Sequence, residues 1–160
     1  MREDAQKGQR QEVVFRRMEA ADVAAAAQVE AVSSREAWTE KAFLDAVRRP
    51  DVVYVVAQRG ERVVGCCGLW ESFDEGDICN VAVLPECRRQ GIACGMLLFL
   101  MEQGRLDGVK NFTLEVRKGS REAVLLYQKL GFVTEGVRKD FYSDPAEDAL
   151  IMWKRPSCPG

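Results

Sequence analysis

Two apolar runs decide what this chain can fold into. Val52-Val53-Tyr54-Val55-Val56-Ala57 is rich in β-branched residues, and the turn Arg59-Gly60-Glu61 leads directly into a second run, Val63-Val64-Gly65-Cys66-Cys67-Gly68-Leu69-Trp70. Such a pair reads as a β-hairpin, so the rest of the chain is arranged around a sheet. Before it, Val13 to Met18 reads as a strand and Glu19 to Val32 as an alanine-rich helix. Thr39 is placed to N-cap a second helix, Glu40 to Arg49, which Pro50 ends. After the hairpin, an acidic loop, Asp74-Glu75-Gly76-Asp77, leads to a strand from Ile78 to Leu84 that Pro85 terminates. A long amphipathic helix from Ile92 to Leu106 comes next, then a strand from Phe112 to Arg117. A helix from Arg121 to Leu130 ends at Gly131, and two strands near 132–138 and 148–154 close the chain. The order β-α-α-β-β-β-α-β-α-β-β implies an α+β (α/β three-layer) fold. It is a single domain with a mixed central sheet of about seven strands flanked by about four helices. A length of 160 residues suits one domain, placed at 13–155 between an N-terminal tail, 1–12, and a C-terminal tail, 156–160, both expected to be flexible.

The chain contains no histidine. That removes Ser-His-Asp and Cys-His nucleophile activation, His-ligated zinc and any imidazole base, and no metal site is expected. Its 23 Lys+Arg against 25 Asp+Glu give a net charge of −2, which argues against direct binding of nucleic acid through phosphate neutralisation. The cysteines at 66, 67, 79, 87, 94 and 158 include no C-x-x-C pair and read as reduced, packed thiols. No stretch approaches the roughly 18 apolar residues of a membrane span, and the start, MREDAQKGQRQE, has no apolar centre. A soluble, cytoplasmic chain without a membrane partner is therefore expected.

The segment between the fourth strand-like run and the long helix, Arg88-Arg89-Gln90-Gly91-Ile92-Ala93-Cys94-Gly95, suits a phosphate. Gly91 lets a ligand approach the backbone, and the free N–H groups and positive dipole end of the helix favour an anion. It is neither a Walker A loop nor G-x-G-x-x-G. The same pattern also serves as a solvated helix cap, and its place after an apolar strand is what favours a ligand.

With those residues in view, the chain resembles the Gcn5-related N-acetyltransferases, whose signature Arg/Gln-x-x-Gly-x-Gly/Ala reads here as Arg88 to Ala93. Within that family it is most similar to the bacterial ribosomal-protein alanine N-acetyltransferases. The matching segments are Ala37 to Lys41, Cys79 to Val83, Leu114 to Arg117, Leu126-Tyr127 with Leu130 to Phe132, and Glu147 to Met152. The resemblance implies acetyl-CoA as the donor, with its pyrophosphate on the amides of Arg89, Gln90, Gly91, Ile92, Ala93 and Cys94 beside Arg88. It implies that the pantetheine arm pairs like a strand with Val81, Ala82 and Val83, which otherwise read as an ordinary buried strand.

The alternation of Phe112 to Val116 leaves Glu115 on the polar face of its strand. The resemblance makes Glu115 the general base acting through water; without it, Glu115 reads as a solvated carboxylate paired with an arginine. Tyr127 falls on the apolar stripe of its helix, and the resemblance makes it the general acid at the CoA thiolate. Trp38 and Tyr142 are the implied substrate-binding aromatics. The chain departs from the family pattern at Gly119-Ser120, where Ser120 takes the place of a cofactor-binding Asn, at Phe141 beside Tyr142, and at Ala37. The acidic residues Asp74, Glu75, Asp77, Asp140, Asp144, Glu147 and Asp148 offer attraction to a basic peptide, or are simply solvated.

The implied activity is transfer of acetyl to the N-terminal α-amine of a protein, foremost the N-terminal alanine of a small-subunit ribosomal protein. A broader N-terminal, lysine or small-amine acetyltransferase is one alternative. A non-catalytic CoA-binding regulatory domain is another, of a different class.

Overall fold

The computed structural model describes residues 11–34 and 36–156. Most of both expected tails, and Cys158, lie outside the described residues. The elements are β1 (Val13–Arg17), α1 (Val23–Ser33), α2 (Glu40–Val47), β2 (Val52–Arg59), β3 (Arg62–Ser72), β4 (Glu75–Val83), α3 (Ile92–Leu106), β5 (Asn111–Arg117), α4 (Arg121–Lys129), β6 (Val133–Tyr142) and β7 (Glu147–Lys154). One seven-stranded sheet runs in the order β1-β2-β3-β4-β5-β7-β6. Every neighbouring pair is antiparallel except β4 with β5.

Local chemistry accounts for most boundaries. Thr39 Oγ1 accepts the Ala42 amide at 3.1 Å and starts α2, while Pro85 stops β4 and enters a short 3-10 turn, Pro85–Cys87. Two boundaries differ from expectation. A 3-10 turn, Ala20–Asp22, precedes α1, because Glu19 and Asp22 form a reciprocal capping box and Arg16 grips the Asp22 carboxylate at 2.7 and 2.8 Å. The acidic segment after the hairpin is mostly strand: β4 begins at Glu75, paired with Ser72 of β3 and Asn111 of β5.

Tyr54 sits opposite Gly68 and its ring meets Phe43 of α2 at 5.9 Å, so α1 and α2 cover that face. Cys67, one residue along, points to the other side and reaches the Met96 carbonyl of α3 at 4.0 Å. The core fills both interfaces, with Phe43, Val55, Val56, Leu69, Met96, Leu97, Leu100 and Phe112 essentially inaccessible. The described cysteines, 66, 67, 79, 87 and 94, are free thiols. Among the described residues no helix is long and apolar enough to cross a membrane.

Candidate active site

The sheet opens between its two parallel strands. β4 and β5 pair only where Glu75–Asp77 face Asn111–Thr113. Beyond that, β4 stays with β3 as far as Val83 and β5 stays with β7 as far as Arg117. The last residues of β4 therefore present an unpaired backbone edge to the gap, suited to an extended ligand carrying amides. The register of β4 against β3 slips between Ala82 and Cys79, and Asn80 in that slip has φ +56, a bulge that turns the strand.

On the α3 face of the gap lies a cleft of about 540 Å³ lined by Val81, Ala82, Val83, Arg88, Arg89, Gly91, Ile92, Ala93, Cys94 and Tyr127. Gly91 is the left-handed N-cap of α3, at φ +78, and nothing lies within 4 Å of where its Cβ would be. The amides that open α3 thus face open space beside two arginines, as an anionic ligand requires. Arg89 makes an exposed pair with Glu122 at 3.1 Å, their side chains 85% and 78% accessible, which a ligand displaces at little cost. Arg88 Nε donates to the Val83 carbonyl at 3.4 Å. Two of the residues expected here do not line the cleft. The Gln90 side chain turns away to accept from Arg59 at 2.6 Å, leaving only its backbone available, and Ser120 lies beside the rim at the start of α4.

On the α1 and α2 face lies a second cleft, of about 400 Å³, which shares Val81 with the first and holds Glu30, Glu36, Trp38, Asp77, Glu115 and Tyr142. Strand alternation places Glu115 there: Phe112, Leu114 and Val116 are buried, and Arg105 of α3 lies over the Phe112 ring, so Glu115 points the opposite way. Arg138 of β6 is its ion-pair partner at 3.5 Å. Burial and the neighbouring Glu115 hold Asp77 above the usual carboxylate range. Tyr142 is wedged under the Arg117 guanidinium, 4.2 Å from its ring. Trp38 packs on Phe43, Tyr54 and Trp70.

Tyr127 stands on the other side of the gap, 7% exposed and packed edge-on against Phe132. Its hydroxyl makes no hydrogen bond among the described residues. Burial, then Cys67 and Tyr142 nearby, raise it well above an ordinary phenol. Burial likewise pushes the Cys79 thiol up to about 12, which makes it a poor nucleophile. No group of three or more metal-binding side chains occurs among the described residues.

The profile of the acetyltransferase (GNAT) family matches residues 18–132. The chain belongs to this family. A Bacillus subtilis relative is 33% identical over 139 residues, 86% of this chain and 92% of its own. The ribosomal protein bS18-alanine N-acetyltransferase of Escherichia coli K12 is 31% identical over 137 residues, 84% of this chain and 92% of its own. The crystal structure of the Escherichia coli ribosomal-protein-S18-alanine N-acetyltransferase superposes with a TM-score of 0.84 at 28% identity, covering 93% of this chain and 97% of that one. The chain is thus an acetyl-CoA-dependent N-acetyltransferase.

For a GNAT enzyme the open space at Gly91 carries a prediction. Gly91→Val is expected to raise the acetyl-CoA Kd by tenfold or more, since a left-handed β-branched residue is strained and its side chain fills the open space beside the amides that start α3. Isothermal titration calorimetry on the folded variant checks it; an unchanged Kd places the pyrophosphate elsewhere. Of the acidic residues read as an attraction for a basic peptide, Asp77 alone lines the cleft on the α1 and α2 face. Glu147 instead accepts from the Gly119 amide at 2.6 Å and pairs with Arg117. Glu30 and Glu36 line it without having been expected. Nothing in an alanine-rich helix marks one glutamate as buried, and the partners that bury it are distant in sequence.

Proposed function

We propose that the chain transfers acetyl from acetyl-CoA to the N-terminal α-amine of a protein, foremost the N-terminal alanine of a small-subunit ribosomal protein. One observation carries this reading: two clefts on opposite faces of the sheet meet at Val81, with a carboxylate on one side and a phenol on the other. The donor lies along Val81–Val83 with its pyrophosphate on the amides that open α3. The amine enters from the Glu115 side, where Glu36, Asp77 and Glu115 favour an ammonium group as it arrives.

Glu115, through water, takes the proton that the amine must lose before its nitrogen attacks the thioester carbonyl. The carbon–sulfur bond then breaks, the nitrogen's remaining excess proton passes through water to the departing sulfur as it leaves as CoA thiol, and Tyr127 faces the sulfur as charge develops. A buried phenol is a weaker acid than a free one, so Tyr127 serves by donating a hydrogen bond that stabilises the thiolate. No protein nucleophile intervenes.

An α-amine, with a pKa of about 7.7–8.0 against about 10.4 for lysine, is the acceptor that a single carboxylate can deprotonate near neutral pH. The name of the Escherichia coli relative supports the alanine of bS18 in particular. A peptide series varying the first residue, with mass spectrometry of the products, tests this. Acetylation is expected on the free α-amine and to be fastest for alanine followed by a basic sequence. Equal rates on N-terminally blocked lysine peptides overturn it.

A further inference from the structure

The amine-side cleft contains a carboxylate that the chemistry above does not use. Glu30 of α1 is 4% exposed, a place where an acidic side chain is almost never left without partners. Asn80 Nδ2 donates to both of its oxygens, at 3.0 and 3.2 Å, and the Trp38 backbone amide lies near enough to favour the charged form. Asn80 is held from its other side as well. The Tyr54 hydroxyl donates to its Oδ1 at 2.7 Å, and Trp70 Nε1 donates to the Tyr54 oxygen at 3.1 Å. The hydrogen bonds Trp70 to Tyr54 to Asn80 to Glu30 all run in one direction and end on a group that can only accept.

What this chain of bonds grips is the left-handed residue of the β4 bulge. Asparagine tolerates φ +56 better than most residues, but the conformation persists only where its surroundings over-determine it. The bulge shifts the residues after it relative to β3, and so decides which backbone groups of Val81–Val83 face the donor cleft. The same carboxylate faces the Trp38 backbone amide, and the Trp38 ring forms a wall of the acceptor cleft.

Burial pushes the Glu30 carboxyl above its ordinary range, outweighing the Asn80 and Trp38 contacts. A carboxyl raised on folding contributes its full stability below its unfolded pKa and loses it as pH rises through the folded one. Ionising Glu30 therefore adds no stability, and the value of the charged form lies in placement.

We propose that Glu30 is a positioning residue for acetyl transfer: through Asn80 it sets the β4 kink that presents Val81–Val83 to acetyl-CoA, and through the Trp38 amide it sets the wall that receives the amine. This rests on the reading of the two clefts as donor and acceptor sites.

The test uses the full chain with Glu30→Ala, Glu30→Gln and Asn80→Gly. It reads acetyl-CoA Kd by calorimetry, then kcat and KM for each substrate, beside circular dichroism and Tm. Glu30→Ala is expected to raise the acetyl-CoA Kd and lower kcat/KM for the peptide by about tenfold or more. Glu30→Gln is expected to recover both to within about threefold, because the amide bonds can reverse. The new oxygen still faces the Trp38 amide, the new N–H donates to Asn80 Oδ1, Asn80 Nδ2 donates to Tyr54, and the Tyr54 hydroxyl turns to Cys79 Sγ at 3.4 Å. A role in stability alone would move Tm without moving Kd.

Where Glu30→Ala fails to fold, Asn80→Gly decides. Glycine adopts the kink freely but has no side chain to tether, so Kd is expected to rise about tenfold in a folded protein. Folded Glu30→Ala, or Asn80→Gly, that binds acetyl-CoA and turns over within about twofold of the parent overturns the proposal. A parent chain that binds acetyl-CoA yet acetylates no α-amine sinks the function proposed above and leaves the Kd comparison standing.

Discussion

Glu115→Gln is expected to lower kcat/KM for an N-terminal peptide by about 10²- to 10⁴-fold near neutral pH, the range that a positioned general base supplies. Acetyl-CoA affinity should stay within about twofold, because the donor cleft does not include Glu115. The substitution keeps the size and hydrogen-bonding reach of the side chain and removes only its ability to take a proton. The partner, Arg138, lies at 3.5 Å with its side chain 57% accessible, and a pair so exposed adds at most about 1 kcal/mol. A large loss therefore reports on chemistry rather than on a broken ion pair. The pH dependence separates a base from a mere amine anchor. Without a base only the already neutral amine reacts, so the variant should gain on the parent as pH rises through about 8, where the α-amine deprotonates unaided. Initial rates from about pH 6.5 to 9.5 check this. A gap that stays constant across that span would mean that Glu115 binds the amine and does not deprotonate it.

What could be read in the sequence follows from where each determinant sits. The β2–β3 hairpin, the Thr39 cap and the start of α3 after Gly91 are written in consecutive residues, and the structure has them where the local chemistry puts them. The start of β4 is different. Glu75, Gly76 and Asp77 have turn-like chemistry, yet they are strand because β3 and β5 supply hydrogen-bond partners on both sides, and tertiary pairing overrides local preference. The same holds inside the site. Glu115 could be read from the alternation of its own strand, whereas Glu30 acquires its role from Asn80, 50 positions away. Gln90 belongs to the phosphate-turn motif, but Arg59, 31 positions away, pulls its side chain out of the cleft. Motif and periodicity located the backbone that lines the cleft at the start of α3. The side chains that hold its shape depend on contacts that no window of sequence contains.

Tyr127→Phe is expected to lower kcat by about 10²- to 10³-fold, the loss seen when one preorganised donor to a developing anion is removed. Tm and acetyl-CoA Kd should hardly move. The ring keeps its contact with Phe132 at 5.9 Å, and the missing hydroxyl breaks no hydrogen bond among the described residues, so the change removes a catalytic contact and little else. The pH profile distinguishes the two services a phenol can give. Burial lifts Tyr127 above the ordinary value of 10.0, so it stays protonated throughout the working range. The parent should then show no fall in kcat attributable to this group below about pH 10, and the deficit of the variant should be the same at every pH below it. A falling limb between about pH 8 and 9 in the parent that disappears in Tyr127→Phe would show a phenol titrating far below its buried value. Tyr127 would then be a proton donor with a depressed pKa, and the hydrogen-bonding role proposed for it would be wrong. An unchanged kcat with acetyl-CoA still bound would remove Tyr127 from the chemistry altogether, leaving the thiolate to be stabilised by some other group at the gap between β4 and β5.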